Sequence, residues 1–439
     1  MKRLNKAGLK PGGQHVNVGI MVVICMLFSF GLDKPSAIAQ ESAPEPLVAL
    51  ALKANPELKS IDLQVQALRH KAKAVQKWMD PVFAVEYSNF PYDTWSMGDS
   101  PMTGVQFKLQ QTFTLSGKNE RREATVRAEA QAIGWSLAEK RNQLVGLVKR
   151  TYWGLALVRQ LRSVNLQHIE LVRQFVEVIR IKYQVGKAGQ HDLMRLEVLQ
   201  SKLEDDLGEF DCRERELSAA LNAVLHRSPG TNIATPERTD STPSSLALNE
   251  WIALAINRRP ALKGWKAKAE AKRVAAAAAA YERYPDITVW AGYRIRRHAG
   301  MDDGTDQMSL GLAVPLPFNY SGSFTAQKAM RLAEAAAMNE QEIVLLDEIK
   351  ADLESALAAW ERAHQKAATY SEELIPKTRK TLDSTMAAYQ SNRADFASLY
   401  QVELQLLDFE RVRLIALSQT WIQRSIVETL AGNHIPEQE

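Results

Sequence analysis

The sequence has little cysteine and, beyond its N-terminal segment, no long apolar run. Two cysteines occur in 439 residues. Only Cys212 lies outside the segment 1–39, so an exported form of the chain would contain no internal disulfide bond. No later stretch approaches the ~18 consecutive apolar residues that mark a membrane-spanning helix. If the chain enters a membrane, we therefore expect it to do so as β-strands and not as helices.

The sequence also lacks the residue groupings of catalytic and metal sites. Outside the segment 1–39, no two histidines stand at metal-ligand spacing; they are His70, His168, His191, His226, His298, His364 and His434. There is no glycine-rich phosphate loop, and no Ser/His/Asp or Cys/His grouping that could form a nucleophilic centre. We predict no catalytic, cofactor-binding or resident metal-binding residue and no enzyme activity.

The segment 1–39 has the pattern of an export signal. Four basic residues up to Lys10 precede an apolar run at 16–32, and Ala37-Ile38-Ala39 supplies the small-x-small motif that signal peptidase recognises. We predict a signal peptide at 1–39, cleaved between Ala39 and Gln40. Its removal takes five of the 55 Lys and Arg and one of the 51 Asp and Glu, leaving 50 of each. The remaining chain is neutral, so its charge indicates no nucleic-acid binding.

Two other interpretations of this N-terminus are less favoured. A membrane anchor needs about 20 apolar residues, whereas this run is interrupted by Asn17 and ends before Asp33. A lipid-modified start at Cys25 is not expected, because Ile24 stands where a small residue is required.

The segment 118–228 contains no proline and is rich in Ala, Leu, Glu, Lys, Arg and Gln, a composition that favours helix. The one strong local break is Gly186-Lys187-Ala188-Gly189, because glycine lowers helix propensity and permits positive φ. The sequence predicts a helical hairpin whose first arm runs from Lys118 to Tyr183. At a rise of roughly 1.5 Å per residue this arm is about 100 Å long. It must bury its apolar side against the rest of the chain or another copy.

The chain contains an internal duplication. Three motifs recur at offsets of 204, 205 and 206: Asn55-Pro56-Glu57-Leu58 as Arg259-Pro260-Ala261-Leu262, Gly117 as Gly322, and Tyr183-Gln184-Val185-Gly186 as Tyr389-Gln390-Ser391-Asn392. We expect a first repeat at 40–227, a linker at 228–248, a second repeat at 249–432 and a C-terminal tail at 433–439. In each repeat, two short helices laid end to end are expected to cover the long one. Pro376 lies inside the second long helix and should kink or break it.

Each repeat also contains two segments in which apolar and polar residues alternate, a pattern typical of strands. The predicted strands are 82–90, 104–114, 286–297 and 307–318. Their length and their terminal aromatic residues suit membrane strands, and a small soluble sheet is the alternative. Four strands cannot close, and lipid tolerates no open edge, so membrane strands would have to be shared among copies. An eight-stranded barrel is filled by side chains, so an open channel favours three copies or more.

The motifs at the element boundaries resemble those of one protein family. Asn55-Pro56-Glu57-Leu58, the sequence QQTFTLSGK at 110–118, and Tyr183-x-x-Gly186 resemble the TolC-type outer-membrane efflux proteins. Asp80-Pro81 and Pro315-Leu316-Pro317-Phe318 resemble the heavy-metal (CzcC/CusC-like) branch of that family. The resemblance covers 47–432.

This resemblance implies a mainly helical fold with membrane β-structure. Duplicated long hairpins would form a periplasmic α-barrel, and four strands per chain would join a shared twelve-stranded β-barrel of a homotrimer in the cell outer membrane. The implied function is the exit duct of a tripartite RND-type efflux system, with a periplasmic adaptor (membrane fusion) protein, an inner-membrane transporter and outer-membrane lipid as partners. Heavy-metal cations are the expected substrate. The alternatives are a multidrug or type I secretion channel and, from another class, a periplasmic coiled-coil scaffold.

The resemblance also implies a gate at the hairpin tips. The tips are marked by Tyr183, Gly186, Gly189 and Asn392. The family closes this end with a polar network of Tyr, Asp and Arg. The expected gate residues here are Tyr389, Asp192, Arg393 and Asp395, although the position of the family's arginine is Ala394. The alternative is that Tyr389 only packs and that the two charged residues of the second turn are solvated.

Overall fold

The computed structural model describes residues 43–237, 240, 242–244, 246–316 and 322–432. The predicted signal peptide, its cleavage site at Ala39 and Gln40, and the tail at 433–439 lie outside these residues. The final residues of the strand predicted at 307–318 lie outside them as well. Within the described ranges, no helix combines the length and the apolar character needed to cross a bilayer.

Both repeats contain the same elements in the same order. The first consists of α1 (Glu45–Ala54), α2 (Pro56–Val75), β1 (Val82–Ser88), β2 (Gly104–Phe113), α3 (Lys118–Gln184) and α4 (Gln190–Val224). The second consists of α5 (Leu248–Arg258), α6 (Pro260–Tyr281), β3 (Ile287–Arg296), β4 (Gln307–Ala313), the long helix α7 (Ser323–Thr369), π1 (Tyr370–Leu374) and α8 (Ile375–Gln390), and finally α9 (Phe396–Ala431). The predicted fold of two long helical hairpins with four strands is therefore confirmed.

Local backbone signals fix several element ends. Helix α2 begins where predicted because the Asn55 side chain accepts the backbone N–H groups of Glu57 at 2.9 Å and Leu58 at 3.3 Å. Helix α4 ends at Val224, because His226 adopts a positive φ of 55°. Strand β1 likewise ends at Ser88, where Asn89 takes a positive φ of 59°.

The long helix of the second repeat carries one extra residue. Its three parts contain 47, 5 and 16 residues, one more in total than the 67 of α3. A π-helical turn accommodates a single inserted residue. The turn π1 lies between the motifs that match at offset 205 and at 206, so it accounts for this change of offset. The predicted break at Pro376 takes the form of this turn, after which the chain continues as α8.

Helix α3 packs against α2, α4, α6 and α9 along its length. Near its middle, Val148, Tyr152 and Leu155 are fully buried in a core shared with Ala51 and Leu221. Toward its C-terminal end, a second core joins both hairpins through Val172, Ile179, Leu203 and Leu399. The second repeat has its own core around Trp251, Leu353 and Trp360.

The two short helices alone do not cover the long one. Helices α2 and α4 have 20 and 35 residues, against 67 in α3. The predicted coverage of α3 by two short helices laid end to end was incomplete, because α1 and the linker also pack against α3. Ile233 of the linker is buried in the core, and the Asn222 amide donates to the carbonyl oxygens of Pro229 at 3.0 Å and Thr231 at 2.8 Å. The described part of the linker around Ile233 is thus packed against the helices.

A buried ion pair joins the two repeats. Arg259 Nη2 lies 2.8 Å from Glu139 Oε1, and the other Glu139 oxygen accepts the backbone N–H of Ala261 at 3.1 Å. A second Arg259 nitrogen donates to the carbonyl oxygen of Thr429. Burial raises the pKa of Glu139, and Arg259 partly offsets that effect. Arg259 occupies the position of Asn55 in the duplication, so here a carboxylate of α3 caps α6 in place of the preceding side chain.

We expect Glu139→Gln to lower the free energy of unfolding by about 3–5 kcal/mol, because it leaves Arg259 buried without its counter-charge. Lys140→Gln is the matched control, since Lys140 pairs with Glu57 at 2.7 Å on the surface. The control should cost no more than about 1 kcal/mol. Unfolding of the purified protein, followed by circular dichroism, measures both. Equal losses in the two variants would contradict a structural role for the buried pair.

Candidate functional site

The four strands form one antiparallel sheet in the order β1-β2-β3-β4. Strands β2 and β3 join the repeats, and the hydroxyl oxygens of Thr112 and Thr288 lie 2.9 Å apart across this pairing. The register aligns most of the apolar residues of the four strands on one face: Phe83, Val85, Tyr87, Val105, Phe107, Leu109, Val289, Ala291, Tyr293, Ile295, Met308, Leu310 and Leu312. Phe83 and Leu310 are 64% and 73% exposed. In a single chain, most of this apolar face is uncovered.

The opposite face of the sheet is polar. It carries Glu86, Gln106, Lys108, Gln110, Thr288, Arg294 and Ser309. Arg294 donates to Gln106 Oε1 at 3.0 Å, and Lys108 Nζ lies 4.7 Å from the centre of the Trp290 ring. A Cβ atom at Gly311 would lie 2.2 Å from that ring, so any larger residue would displace the Trp290 ring. The two faces therefore suit different surroundings, an apolar medium on one side and water on the other.

Strands β1 and β4 are the edges of the sheet. In the described part of the chain, each pairs with one neighbour only, β1 with β2 and β4 with β3. The outer backbone N–H and C=O groups of both edges are thus available to another strand.

Ion pairs connect the first turns of α3 to the segment between α6 and β3. Lys118, in the first turn of α3, lies 2.8 Å from Asp286 just before β3. Arg122, one turn further along, donates to both carboxylate oxygens of Glu282 at 2.9 Å. These contacts fix the start of the long helix of repeat one against the strand of repeat two.

The two hairpin tips, residues 184–189 and 390–395, lie at the far end of the long helices from the sheet. Gly186 and Asn392 adopt positive φ values of 72° and 58°. In both tips the next residue closes the helix by the same bond, from Lys187 N–H to the Lys182 carbonyl and from Arg393 N–H to the Ala388 carbonyl, each at 2.8 Å. The residues predicted to mark the tips thus occupy the turns, with Tyr183 partly exposed beside the first one.

The structure brings two of the four predicted gate residues near each other. Tyr389 is buried, and burial together with the charge of Asp192 raises the pKa of its phenol. Its hydroxyl has no hydrogen-bond partner among the described residues. Arg393 instead donates to Ser391 Oγ at 3.1 Å, and Asp395 accepts the backbone N–H of Ser398 at 3.0 Å. Within one chain, Arg393 and Asp395 therefore bond within their own turn.

Sequence reasoning missed Lys182, which connects the two tips. Its ammonium lies 4.1 Å from the centre of the Tyr389 ring and 2.8 Å from Asn392 Oδ1, and it also donates to the carbonyl oxygen of Tyr389. The lysine of the first hairpin thus neutralises the carbonyl end of α8 in the second. The position of Lys182 next to Tyr183 gave no signal of this role, because the partner lies 207 residues away.

Solved structures with a similar fold are outer-membrane channel structures. The outer-membrane channel OprN matches with a TM-score of 0.73 and 14% identity over 89% of both chains. CusC, described in terms of transmembrane channel formation, matches with a TM-score of 0.71 and 14% identity over 89% of this chain and 92% of its own. The CmeC outer-membrane channel of Campylobacter jejuni matches with a TM-score of 0.70 and 13% identity over 90% of this chain and 87% of its own. No family model and no curated protein matches the sequence.

At this level of identity, the likeness establishes the fold. The chain has the fold of these outer-membrane channels over nearly the whole of its described length. The similar structures are channels, which fits the prediction that the chain is not an enzyme.

Proposed function

We propose that this chain is an outer-membrane exit duct of a tripartite RND-type efflux system, reaching from the outer membrane into the periplasm. The observation that carries the proposal is the sheet, which is apolar on one face, polar on the other and open at both edges. Lipid would cover the apolar face, and the polar face would line the duct. The segment 1–39 would be the export signal that directs the chain to this location.

The open edges support an assembly of three copies. Lipid leaves no backbone edge unpaired, so β4 of one copy would pair with β1 of the next. Three copies would close a barrel of twelve strands, wide enough to leave a channel.

The duplication indicates which helices would meet between copies. Within the chain α3 packs against α6, and the duplication matches α3 with α7 and α6 with α2. The equivalent contact would therefore join α7 of one copy to α2 of the next. Both helices expose apolar side chains that such a contact would bury, including Leu63 on α2 and Ile343 and Val344 on α7.

We expect Leu310→Lys to lower strongly the yield of folded protein in the outer-membrane fraction, because it places a charge on the face proposed to meet lipid. A lysine near the bilayer midplane costs about 2–4 kcal/mol. Ser309→Lys is the control, since residue 309 is the adjacent strand position on the polar face. Quantitative immunoblotting of membrane fractions compares them. Equal yields would argue against lipid contact and would favour the periplasmic scaffold.

The hairpin tips would form the resting gate and the adaptor contact. We propose that Tyr389, Asp192, Arg393 and Asp395 take part in contacts between copies at this end, with Lys182 holding the two tips of each chain together. The first tip also exposes apolar side chains on both arms, at Ile181, Val185, Met194 and Val198. This surface suits an apolar helix of a periplasmic adaptor, which would connect the duct to an inner-membrane transporter.

We expect Tyr389→Phe combined with Arg393→Ser to raise single-channel conductance in planar bilayers. The change removes the guanidinium of Arg393, which would contact a neighbouring copy, and the buried hydroxyl of Tyr389, which has no partner among the described residues and would be free to bond when copies meet. The ring of residue 389 stays in the packed core of the hairpin. The variant should assemble to the same oligomer as the wild-type protein, measured by native mass. An unchanged conductance would exclude these two side chains from the gate and leave closure to apolar packing.

Heavy-metal cations are the proposed substrate class. The proposal is supported by the Asp80-Pro81 and Pro315-Leu316 motifs, which resemble the heavy-metal branch of TolC-type proteins. The cation would be cargo delivered by the transporter and not a resident ligand of the duct, whose wall needs only water and polar side chains.

Deletion of the gene in its host should lower tolerance to heavy-metal cations several-fold and leave tolerance to a panel of antibiotics unchanged. Growth inhibition measured over a concentration series of each compound tests this expectation, and the wild-type gene supplied in trans should restore tolerance. Loss of antibiotic tolerance alone would assign the duct to a multidrug system. Loss of a secreted polypeptide, with both tolerances intact, would assign it to type I secretion.

A further inference from the structure

A buried histidine connects the two hairpins of the chain above their tips. His168 of α3 is 3% exposed. Its Nδ1 lies 2.6 Å from Glu403 Oε1 and its Nε2 lies 3.0 Å from Glu410 Oε2, both on α9. Carboxylates only accept hydrogen bonds, so both ring nitrogens must donate. With both glutamates ionised, this geometry requires a protonated, positively charged imidazole between the two carboxylates.

The charged groups near this ring lie on α4, α8 and α9. Arg379 of α8 donates to Glu410, so two acids face two cations. Asp383 of α8 lines the open cavity beside the ring. Arg411, which directly follows Glu410 on α9, binds Asp206 of α4 at 2.6 Å and Asn165 of α3 at 2.6 Å. The second oxygen of Glu403 is buried without a partner among the described residues, so Glu403 depends on the imidazole for its counter-charge.

The duplication reproduces the carboxylates and the arginine but not the histidine. At an offset of 206, Arg379, Glu403 and Glu410 correspond to Arg173, Glu197 and Glu204. Arg173 lies 3.7 Å from Glu204, the counterpart of the Arg379–Glu410 pair. The residue that corresponds to His168 is Leu374, in the turn π1. The inserted residue of π1 and the loss of the basic side chain therefore occur at the same place.

The contact between the two hairpins inside a chain therefore differs from the contact expected between hairpins of neighbouring copies. We call each of these contacts a seam. Inside each chain, α3 meets α9 across the His168 cluster. Between copies of the proposed trimer, π1 would meet α4 of the neighbour, where Glu197 and Glu204 would face Leu374 and no imidazole.

We propose that His168 is a proton-dependent latch that holds the two hairpins of each chain together. The latch itself rests on the single-chain geometry, and the statement about the other seam rests on the proposed function. His168 acts as a positioning residue for α9.

The expected pH dependence follows from the direction of the shift. Burial disfavours the charged ring, but the hydrogen bonds and charges of Glu403 and Glu410 outweigh it and raise the pKa of His168 from 6.5 to about 9. A group whose pKa is raised by folding stabilises the folded state fully at pH values below its pKa in the unfolded chain. It loses that contribution as the pH rises through its pKa in the folded state. The latch should hold at neutral pH and lose its stabilisation progressively between about pH 6.5 and 9.

Hydrogen exchange of the purified full-length protein, corrected for the intrinsic rate at each pH, tests the latch. At pH 7 the amides of 399–411 should be protected in the wild type and should exchange about tenfold or more faster in His168→Gln, which has no charge to place between the acids. His168→Lys should keep the protection because it keeps a positive donor. His70→Gln, which changes an exposed histidine of α2, should have no effect.

The wild-type pH series gives the second readout. Raising the pH from 7 to 10 should release 399–411 in the wild type, whereas 197–204, which lacks the histidine partner, should show no such dependence. Unchanged protection of 399–411 across this range would overturn the latch, even if His168→Gln fails to fold. Equal pH dependence of the two segments would overturn the difference between seams. Neither hydrogen-exchange measurement depends on transport, so the latch can be confirmed even if the proposed function is wrong.

Discussion

A helix of 67 residues must bury an apolar side along its whole length, and most of this fold follows from that requirement. No single partner in the chain is long enough to cover α3. It is therefore covered in series, by α2, α1, the linker and α4 on its own repeat and by α6 and α9 from the other. The packing explains why the proline-containing linker is ordered around Ile233, since a mobile connection would leave the middle of α3 uncovered.

The sheet and the long helices also have apolar surfaces that no other described part of the chain covers. The sheet exposes a wide apolar face and two open edges, and the long helices expose apolar residues such as Leu63 and Ile343. Charges are absent from the apolar face, whereas Lys108 and Arg294 lie on the polar one. A soluble sheet packed on helices would show the reverse, with its apolar face turned to the helical core. The arrangement therefore supports the proposal that lipid and further copies complete the subunit.

The two repeats share one backbone arrangement, but their side chains differ where the repeats contact each other. Asn55 caps α2 by itself, whereas its counterpart Arg259 relies on Glu139 of the other repeat to cap α6. His168 has no counterpart, because π1 occupies its place in the second hairpin. Each divergence ties the first repeat to the second within one chain, which makes the contacts inside a chain chemically different from those expected between chains.

The sequence by itself determined the local order of this protein. Proline-free composition, alternation with period two, and the glycine and asparagine of the two turns specified the long helices, the strands and the tips, because these signals act over a few residues. The duplication made the repetition of the fold visible as well. Tertiary structure alone decided the pairing of β2 with β3, the ion pair of Glu139 with Arg259, and the contacts of Lys182 and His168 with the second hairpin. Those partners lie more than one hundred residues apart, and no local pattern records which long-range surfaces will meet.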